Sequence, residues 1–196
     1  MTTSRPSLAG ATIIVILAGI WCTGCPQMAI MRGATTVAGS VADDRSFEQQ
    51  ASDLELKTGI EKALLADPTL ASQVNVDVYL GRVMLTGVVA NRGARRSAVN
   101  MARQAAPSHE FFDDLEVATG RSIADTATNF AINKELGVNL LADEGVASQS
   151  FQHRVVNGTA FIMGQAKQES QIEAARQVAL QTPGITRAVT HILLQP

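Results

Sequence analysis

Hydrophobic residues recur along this chain at two different spacings. Over residues 54–65 they follow the period of an α-helix, and an Asp-Pro dipeptide comes soon after. The segments "VNVDVYL" (74–80) and "VMLTGVV" (83–89) instead alternate between apolar and polar side chains, as strands do. Because the Gly-Arg pair between them suits a turn, the pattern predicts a helix followed by a β-hairpin.

A second helix and a third strand follow the hairpin. Asn91 can cap a helix that runs to about Ala106, and Pro107 ends it. The segment "FFDDLEV" (111–117) then alternates again. The order of elements is therefore αββαβ, which favours the α+β class with helices packed on a sheet.

This order returns in the second half of the chain. Four apolar positions of the first helix recur 76 residues later, and positions in the hairpin, second helix and last strand recur 77 residues later. The first set is Leu56, Ile60, Leu64 and Leu65, matched by Ile132, Leu136, Leu140 and Leu141. The second set is Val74, Val78, Gly81, Leu85, Gly87, Ala98, Ala102, Phe112, Leu115 and Val117, matched by Phe151, Val155, Gly158, Ile162, Gly164, Ala175, Ala179, Val189, Ile192 and Leu194. A near-constant offset of this kind indicates a tandem duplication.

The duplication predicts two tandem αββαβ sandwiches, each a three-stranded mixed sheet covered by two helices. We expect these domains at residues 52–119 and 122–195. Units of about 70 residues are close to the lower limit of independent stability. Packing of one unit against the other is therefore expected.

Four glycines recur with the repeat and are interpreted as structural. Gly81 and Gly158 lie at the predicted hairpin turns, and Gly87 and Gly164 lie near the ends of the second strands. A residue without a side chain permits a tight turn or a close backbone approach. These positions are requirements of the fold and carry no chemistry.

The N-terminal segment has the layout of an export signal. A short start containing Arg5 precedes an uncharged run over residues 8–21. That run is shorter than the roughly 20 apolar residues of a comfortable membrane span. We therefore expect a signal peptide over residues 1–24 and a lipidated N-terminus with a flexible tether over residues 25–51; an uncleaved hydrophobic anchor is the alternative.

Both cysteines, Cys22 and Cys25, lie in "ILAGIWCTGCP" at the spacing of redox pairs and metal sites. A reactive pair needs neighbours that lower a thiol pKa, and a zinc site needs further thiols or imidazoles, which this segment lacks. The end of the segment instead resembles the small-small-Cys end of the lipobox of bacterial lipoproteins, although Cys22 stands where an aliphatic residue is usual. We expect Cys25 to be the lipidated residue.

Composition and charge narrow the function further. The chain is 46% hydrophobic and 17% charged, with a formal net charge of −2, which excludes disorder and argues against a nucleic-acid partner. No catalytic motif is present: Asp113 and Asp114 are neighbours whose side chains point to opposite faces of a strand, and they are interpreted as solvated edge charges. His153 and His191 match Val76 and Asp114 in the other repeat, so a site shared between repeats is not expected. We predict no catalytic residue, no metal site and no cofactor.

The repeated unit resembles a known family. Its strand "GRVMLTGVV" and the counterpart "NGTAFIMGQA", the Ala-rich helix after each, and the closing "FFDDLEV" and "ITRAVTHILL" are similar to the BON domain of bacterial envelope proteins. With a leader and a lipobox-like cysteine, the chain resembles the dual-BON lipoproteins of the outer membrane and their soluble, osmotically induced periplasmic relatives. The resemblance implies a non-enzymatic protein on the periplasmic face of the outer membrane that binds anionic phospholipid and supports envelope integrity.

Two groups of residues are candidates for lipid binding. Arg92, Arg96 and Arg103 share one face of the helix after the first hairpin and form a basic stripe. Phe130 and Lys134, one turn apart on the opening helix of the second repeat, combine an aromatic ring with a cation, which suits a headgroup boundary. The resemblance favours the second group. The competing hypothesis is a structural or assembly subunit that docks on other envelope proteins through its BON lobes.

Overall fold

The computed structural model describes residues 44–118, 126–146 and 151–195. The predicted signal peptide, Cys25 and most of the predicted tether lie outside these residues. Both repeats belong to one compact unit that spans residues 40–196. We refer to residues 44–118 as the first lobe and to residues 126–195 as the second lobe.

The elements follow the predicted order in both lobes. The first lobe contains α1 (Phe47–Leu64), α2 (Pro68–Gln73), β1 (Val74–Tyr79), β2 (Arg82–Val89), α3 (Arg92–Ala105) and β3 (Glu110–Val117). The second lobe contains α4 (Thr126–Ala142), β4 (Phe151–Val156), β5 (Thr159–Ala166), α5 (Glu169–Gln181) and β6 (Arg187–Leu194). The short helix α2 was not predicted.

Each lobe has a three-stranded mixed sheet. β2 lies at the centre of the first sheet, antiparallel to β1 and parallel to β3, and β5 has the same place between β4 and β6. The helix between the second and third strands makes the crossover that a parallel pair requires. The predicted fold class, two tandem αββαβ sandwiches, is confirmed.

Alternation along the strands places one face of each sheet against the helices. In the first lobe, Val83 and Leu85 of β2 are buried with Ile60 and Leu64 of α1. The matching cluster of the second lobe includes Leu136, Leu140, Ala160, Ile162 and Ala175. Burying an aliphatic side chain of this size contributes roughly 1.5–3 kcal/mol, so these clusters supply most of the stability of each lobe.

The start of α1 shortens the predicted tether. The Ser46 hydroxyl accepts a hydrogen bond from the backbone N–H of Gln49, whose side chain accepts one from the backbone N–H of Ser46. This reciprocal capping box fixes the helix start at Phe47. Residues 47–51, assigned to the tether from the sequence, therefore belong to the folded domain.

The unpredicted helix α2 arises from the dipeptide that was interpreted as a helix end. The Asp67 carboxylate accepts hydrogen bonds from the backbone N–H groups of Thr69 and Leu70, and Pro68 occupies the first turn. An acidic cap followed by proline favours a helix start. The same two residues therefore separate α1 from a second helix.

The hairpin turns differ by one residue from the sequence prediction. Leu80, expected in the strand, has φ 51° and forms the turn with Gly81 at φ 72°; Asn157 and Gly158 adopt φ 48° and 73° in the second lobe. Two successive positive φ angles are typical of the type I′ turn, for which Asn-Gly is the preferred sequence. Gly81 and Gly158 lie in these turns, at the second of the two positions with positive φ.

Gly87 adopts a backbone conformation that requires glycine. Its φ is 131°, and a Cβ atom added there would lie 2.0 Å from the carbonyl oxygen of Gln73. Gly164, its counterpart at the same position of β5, is also buried.

The lobes pack through the sheet faces that the helices leave uncovered. A third apolar cluster contains Tyr79 and Met84 from the first lobe and Val156, Phe161 and Met163 from the second. The order of layers is therefore helices, sheet, sheet, helices. The expected packing of one lobe against the other is confirmed.

Candidate functional site

The outer face of α4 carries three large apolar side chains in solvent. Phe130, Val138 and Leu141 are 62%, 66% and 59% exposed. Lys134, one turn after Phe130, places its Nζ 5.4 Å from the centre of the Phe130 ring, within the range of a cation–π contact. The two residues predicted for this helix therefore form one exposed apolar and cationic surface, which we call the α4 face.

The opposite side of α4 explains why these residues point outward. Leu136 and Leu140 are buried against the second sheet and fix the rotation of the helix about its axis. Gly137 allows a close approach to β4, because a Cβ atom there would lie 2.9 Å from Nε2 of His153. The position of the α4 face thus follows from the core of its own lobe.

A groove of about 440 Å³ lies between the α4 face and β4. Lys134, Val138 and Leu141 line one wall, and His153 and Arg154 lie on the other. Burial is the main cause that lowers the pKa of His153 below its ordinary value of 6.5, and Arg154 and Lys134 lower it further. The imidazole is therefore neutral near pH 7. Arg154 is paired with Asp77, which also lines the groove, and Lys134 adds a further cation.

A second, smaller cavity adjoins the α4 face at the junction of the lobes. Its volume is about 200 Å³, and its walls include the side chains of Gln73, Asn75 and Asn133, with Phe130 beside them. The buried oxygens of the Gln73 and Asn133 amides have no hydrogen-bond partner among the described residues. Buried amides of this kind are satisfied by water or by a donor from a ligand.

The basic stripe of α3 is exposed but lies beside carboxylates. Arg92, Arg96 and Arg103 all face solvent, and the Arg103 guanidinium lies 5.1 Å from the centre of the Phe111 ring. The cavity that Arg92 lines also contains carboxylates of the first lobe. The structure therefore does not bring the stripe together with the α4 face.

The interpretation of Asp113 and Asp114 as solvated charges is wrong. Asp113 accepts two hydrogen bonds from Nε of Arg95, at 3.1 and 3.0 Å. Asp114 lies on the opposite face of β3, where its Oδ2 is 2.7 Å from Nε2 of His191 in the second lobe. The expected opposite orientation is correct, but each carboxylate has a partner on its own side of the sheet.

His191 of the second lobe contacts the first lobe. Its ring stacks on Phe112 at a centroid distance of 3.9 Å while it binds Asp114, so it joins positions that the repeat alignment treats as equivalent. His109 approaches the carbonyl oxygen of Gly81 at 2.8 Å. Within the described ranges, no group of three His, Cys, Asp or Glu side chains is placed to hold a metal ion.

Asp53 is an important residue that the sequence analysis missed. Its buried carboxylate accepts hydrogen bonds from the backbone N–H groups of Leu80 and Gly81, each at 2.8 Å, and from Arg45. These contacts hold the β1–β2 turn against α1. The sequence did contain a signal for this role, because Asp53 is an acidic residue on the otherwise apolar side of the first predicted helix.

None of the helices in the described ranges is long and apolar enough to cross a membrane. The arrangement is a duplicated αββαβ module whose lobes pack sheet to sheet and whose outer helices face the surroundings. This defines a class of tandem-repeat protein with an outer helix, α4, that exposes apolar side chains. The family model of the BON domain matches residues 52–108 and 128–196, and the chain belongs to the BON-domain family, with two copies of the domain.

Two characterised relatives cover most of the chain. It is 27% identical over 178 residues to "Outer membrane lipoprotein DolP" of Haemophilus influenzae, which covers 90% of this chain and 91% of that protein. It is 26% identical over 152 residues to "21 kDa hemolysin" of Actinobacillus pleuropneumoniae, which covers 76% of this chain and 78% of that protein.

A similarity to a solved structure is weaker. The C-terminal domain of CdsD, a structural protein of the type III secretion system of Chlamydia trachomatis, aligns with 74% of this chain and 67% of its own. The TM-score is 0.31 and the sequence identity is 14%. A similarity at this level carries no argument about function.

Proposed function

We propose that this protein is a non-enzymatic lipoprotein of the bacterial envelope, held at the periplasmic face of the outer membrane by acyl chains on Cys25. We further propose that it binds anionic phospholipid through the α4 face and supports the integrity of the outer membrane. The single observation that carries the proposal is the α4 face itself, where Phe130 and Lys134 join an exposed apolar surface to a cation.

The location is supported by the family and by the N-terminal sequence. A relative named as an outer membrane lipoprotein matches 90% of the chain. The residue after Cys25 is Pro26 and not Asp, and Asp at that place retains some lipoproteins at the inner membrane in enteric bacteria. An acyl anchor adds about 0.8 kcal/mol of membrane affinity for each buried CH₂ group, so the folded lobes need only weak affinity for lipid.

The lipid-binding role is supported by the chemistry of the α4 face. Transfer of most of the Phe130 side chain from water into the acyl boundary is worth about 1.5–3 kcal/mol. One cation close to an anionic surface contributes about 1 kcal/mol. Together with Val138 and Leu141, these contributions are sufficient for reversible contact by a protein that its anchor already holds at the membrane.

Sedimentation with vesicles tests the proposal. The chain from residue 26 onward, which carries no acyl anchor, is mixed with phosphatidylcholine vesicles with and without phosphatidylglycerol. We expect binding that needs the anionic lipid, with Phe130→Ala causing the larger loss and Lys134→Glu causing a loss that salt reduces. The repeat supplies matched controls, because Leu54 and Thr58 occupy the corresponding positions of α1.

The controls define the opposing result. Leu54→Ala and Thr58→Glu change the same helix positions of the first lobe and should leave vesicle binding unchanged. If they weaken binding as much as the variants of Phe130 and Lys134, the contact is not specific to the α4 face. If charge reversal of Arg92, Arg96 and Arg103 alone abolishes binding, the contact belongs to α3.

One observation favours a second candidate, an assembly subunit that docks on other envelope proteins. On α1, Phe47, Leu54 and Leu65 are 85%, 64% and 66% exposed and lie on one side of the helix. The flanking charges are of both signs, with Glu55 and Lys62 on one side of this stripe. A mixed-charge border suits a protein partner better than an anionic membrane.

A permeability assay separates the two candidates. The gene is deleted, and the deletion strain is complemented with the Leu54→Glu or the Lys134→Glu variant. The sensitivity of each strain to detergent is then measured. Failure of the α1 variant alone, with normal vesicle binding, supports docking on a protein. Failure of the α4 variant alone supports lipid binding.

A further inference from the structure

Two polar contacts between the lobes join residues at equivalent positions of the repeat. Arg154 donates to Asp77 through Nε and Nη2, at 3.1 and 2.7 Å. Nε2 of His191 lies 2.7 Å from Oδ2 of Asp114. In each pair the partners are 77 residues apart, which is the offset of the duplication.

Contact between equivalent positions shows how the lobes are related. Two copies of one unit bring the same position together only close to a two-fold axis. The apolar cluster between the sheets follows the same rule, because Tyr79 and Val156, and also Met84 and Phe161, are equivalent positions in one cluster. The two lobes therefore pack like the subunits of a two-fold symmetric dimer joined into one chain.

The polar side chains on the two faces are complementary, and Asp77 and Arg154 are opposite in charge. The first lobe contributes Asp77 and Asp114, and the second contributes Arg154 and His191 at the same places. A further ion pair of the same sense joins Glu116 to Arg187 of the second lobe, at 3.5 Å. A true symmetric pairing of two first lobes would place carboxylate against carboxylate, and pairing of two second lobes would place guanidinium against guanidinium.

Burial makes this arrangement selective. The Asp77 side chain is 5% exposed, so a partner of the same charge would bring two carboxylates together in a buried position beside Lys57, whose Nζ is 3.9 Å from Asp77, and a second buried carboxylate there is unfavourable. The apolar part of the interface does not distinguish one lobe from the other by charge. Attraction between the sheets thus comes from the apolar cluster, while the choice of partner comes from the charged positions.

We propose that the sheet face of each lobe is a recognition surface specific for the opposite lobe, in the same chain or in a second copy. Each face is complementary to the face of the other lobe and not to a second copy of itself. A second copy of the chain can bind through these faces only by reciprocal exchange, with the first lobe of one chain on the second lobe of the other. This goes beyond the proposed lipid-binding function and does not depend on it.

Exchange of residues between equivalent positions tests the proposal. Variant A carries Asp77→Arg with Asp114→His, and variant B carries Arg154→Asp with His191→Asp. Variant C combines all four changes and so reverses the polarity of the interface. Lys57, whose Nζ is 3.9 Å from Asp77, is changed to Ala in every variant and in the reference so that this third charge is absent throughout.

We expect variants A and B to lower the melting temperature and variant C to recover at least about half of that loss. When A and B are co-expressed with different tags, we expect them to co-purify as a complex whose mass by light scattering is twice that of one chain, because the faces of A complement those of B. The control variant carries Arg92→Glu with Glu169→Arg. These two residues are exposed, opposite in charge and at equivalent positions of the repeat, so we expect neither the melting temperature nor the co-purification to change.

Any one of four results would overturn the proposal. The first is a melting temperature of variants A and B equal to that of the reference. The second is a variant C that melts no higher than A or B, and the third is that co-expressed A and B remain separate monomers. The co-expression arm applies even where A or B alone does not fold, since recovery of a folded A–B complex needs only that the pair be complementary. Self-association of A alone into a dimer would equally contradict it.

Discussion

Gly87→Ala should destabilise the first lobe far more than a surface substitution, for a reason that is local and geometric. Gly87 lies on β2 opposite Val74 of β1, where α2 ends and β1 begins. Its φ is 131°, and an added Cβ atom would lie 2.0 Å from the carbonyl oxygen of Gln73 and 3.1 Å from the carbonyl carbon. Both atoms are backbone, so no side-chain rotation can relieve the contact.

The magnitude follows from three contributions. A residue with a side chain forced into this region of φ costs of order 1–3 kcal/mol. Removing the overlap requires the Gln73 peptide to move, which weakens the β1–β2 pairing and costs roughly another 1–2 kcal/mol by analogy with overpacking. Alanine restricts the unfolded chain and returns about 0.4–1 kcal/mol. The net loss is about 1–4.5 kcal/mol, which is substantial against the 5–15 kcal/mol typical of a domain.

Denaturant unfolding followed by circular dichroism measures this loss as a lower midpoint. Gly59 provides a matched control, because a Cβ atom there meets nothing within 4 Å and the position lies within α1. Gly59→Ala should therefore stabilise the protein by about 0.5–1 kcal/mol. A Gly87→Ala protein within about 0.5 kcal/mol of the wild type, with an unchanged slope, would refute the steric argument.

Three further outcomes are expected. Cys25→Ser should leave an unprocessed or soluble precursor, and membrane fractionation with mass analysis of the N-terminus would detect unchanged acylation if the lipobox interpretation is wrong. Leu80→Asn should be more stable than Leu80→Ala by about 0.5–1 kcal/mol, because both variants lose the contact of Leu80 with the apolar cluster between the lobes but Asn tolerates φ 51° better; equal thermal midpoints of the two variants would contradict this. His153→Val should reduce the loss of stability on acidification: burial lowers the native pKa of His153 below 6.5, so the unfolded chain binds the proton first and stability falls as the pH drops below about 6.5. Thermal melts from pH 7.5 to 5 would show equal pH dependence in both proteins if the imidazole were not buried.

The fold could be predicted from the sequence because the duplication supplies the same information twice. Apolar positions that recur at offsets of 76 and 77 residues fix which residues face the helices. The helix start at Phe47 and the helix after Asp67 were missed, because both depend on hydrogen bonds that the Ser46 and Asp67 side chains accept from backbone N–H groups. Hydrophobic periodicity does not detect those bonds.

Contacts between the lobes could not be predicted, for a different physical reason. The alternation of side chains along a strand predicts that Asp113 and Asp114 point to opposite faces of β3. It does not predict which residues pack against each face. His191 was set aside because its counterpart is an aspartate. In the folded protein that difference is the basis of the contact, since equivalent positions meet and only unlike side chains can pair there.

The same divergence between copies distinguishes the two outer helices. Leu54 of α1 and Phe130 of α4 are equivalent and exposed to nearly the same extent, 64% and 62%, so the duplicated unit has retained an apolar outer position in both lobes. Only α4 places a cation, Lys134, one turn further on; α1 has Thr58 there. Apolar exposure alone attracts any apolar partner, whereas the added cation selects an anionic surface. On the proposed function, we therefore expect the second lobe to contact an anionic membrane and the first lobe to contact a protein.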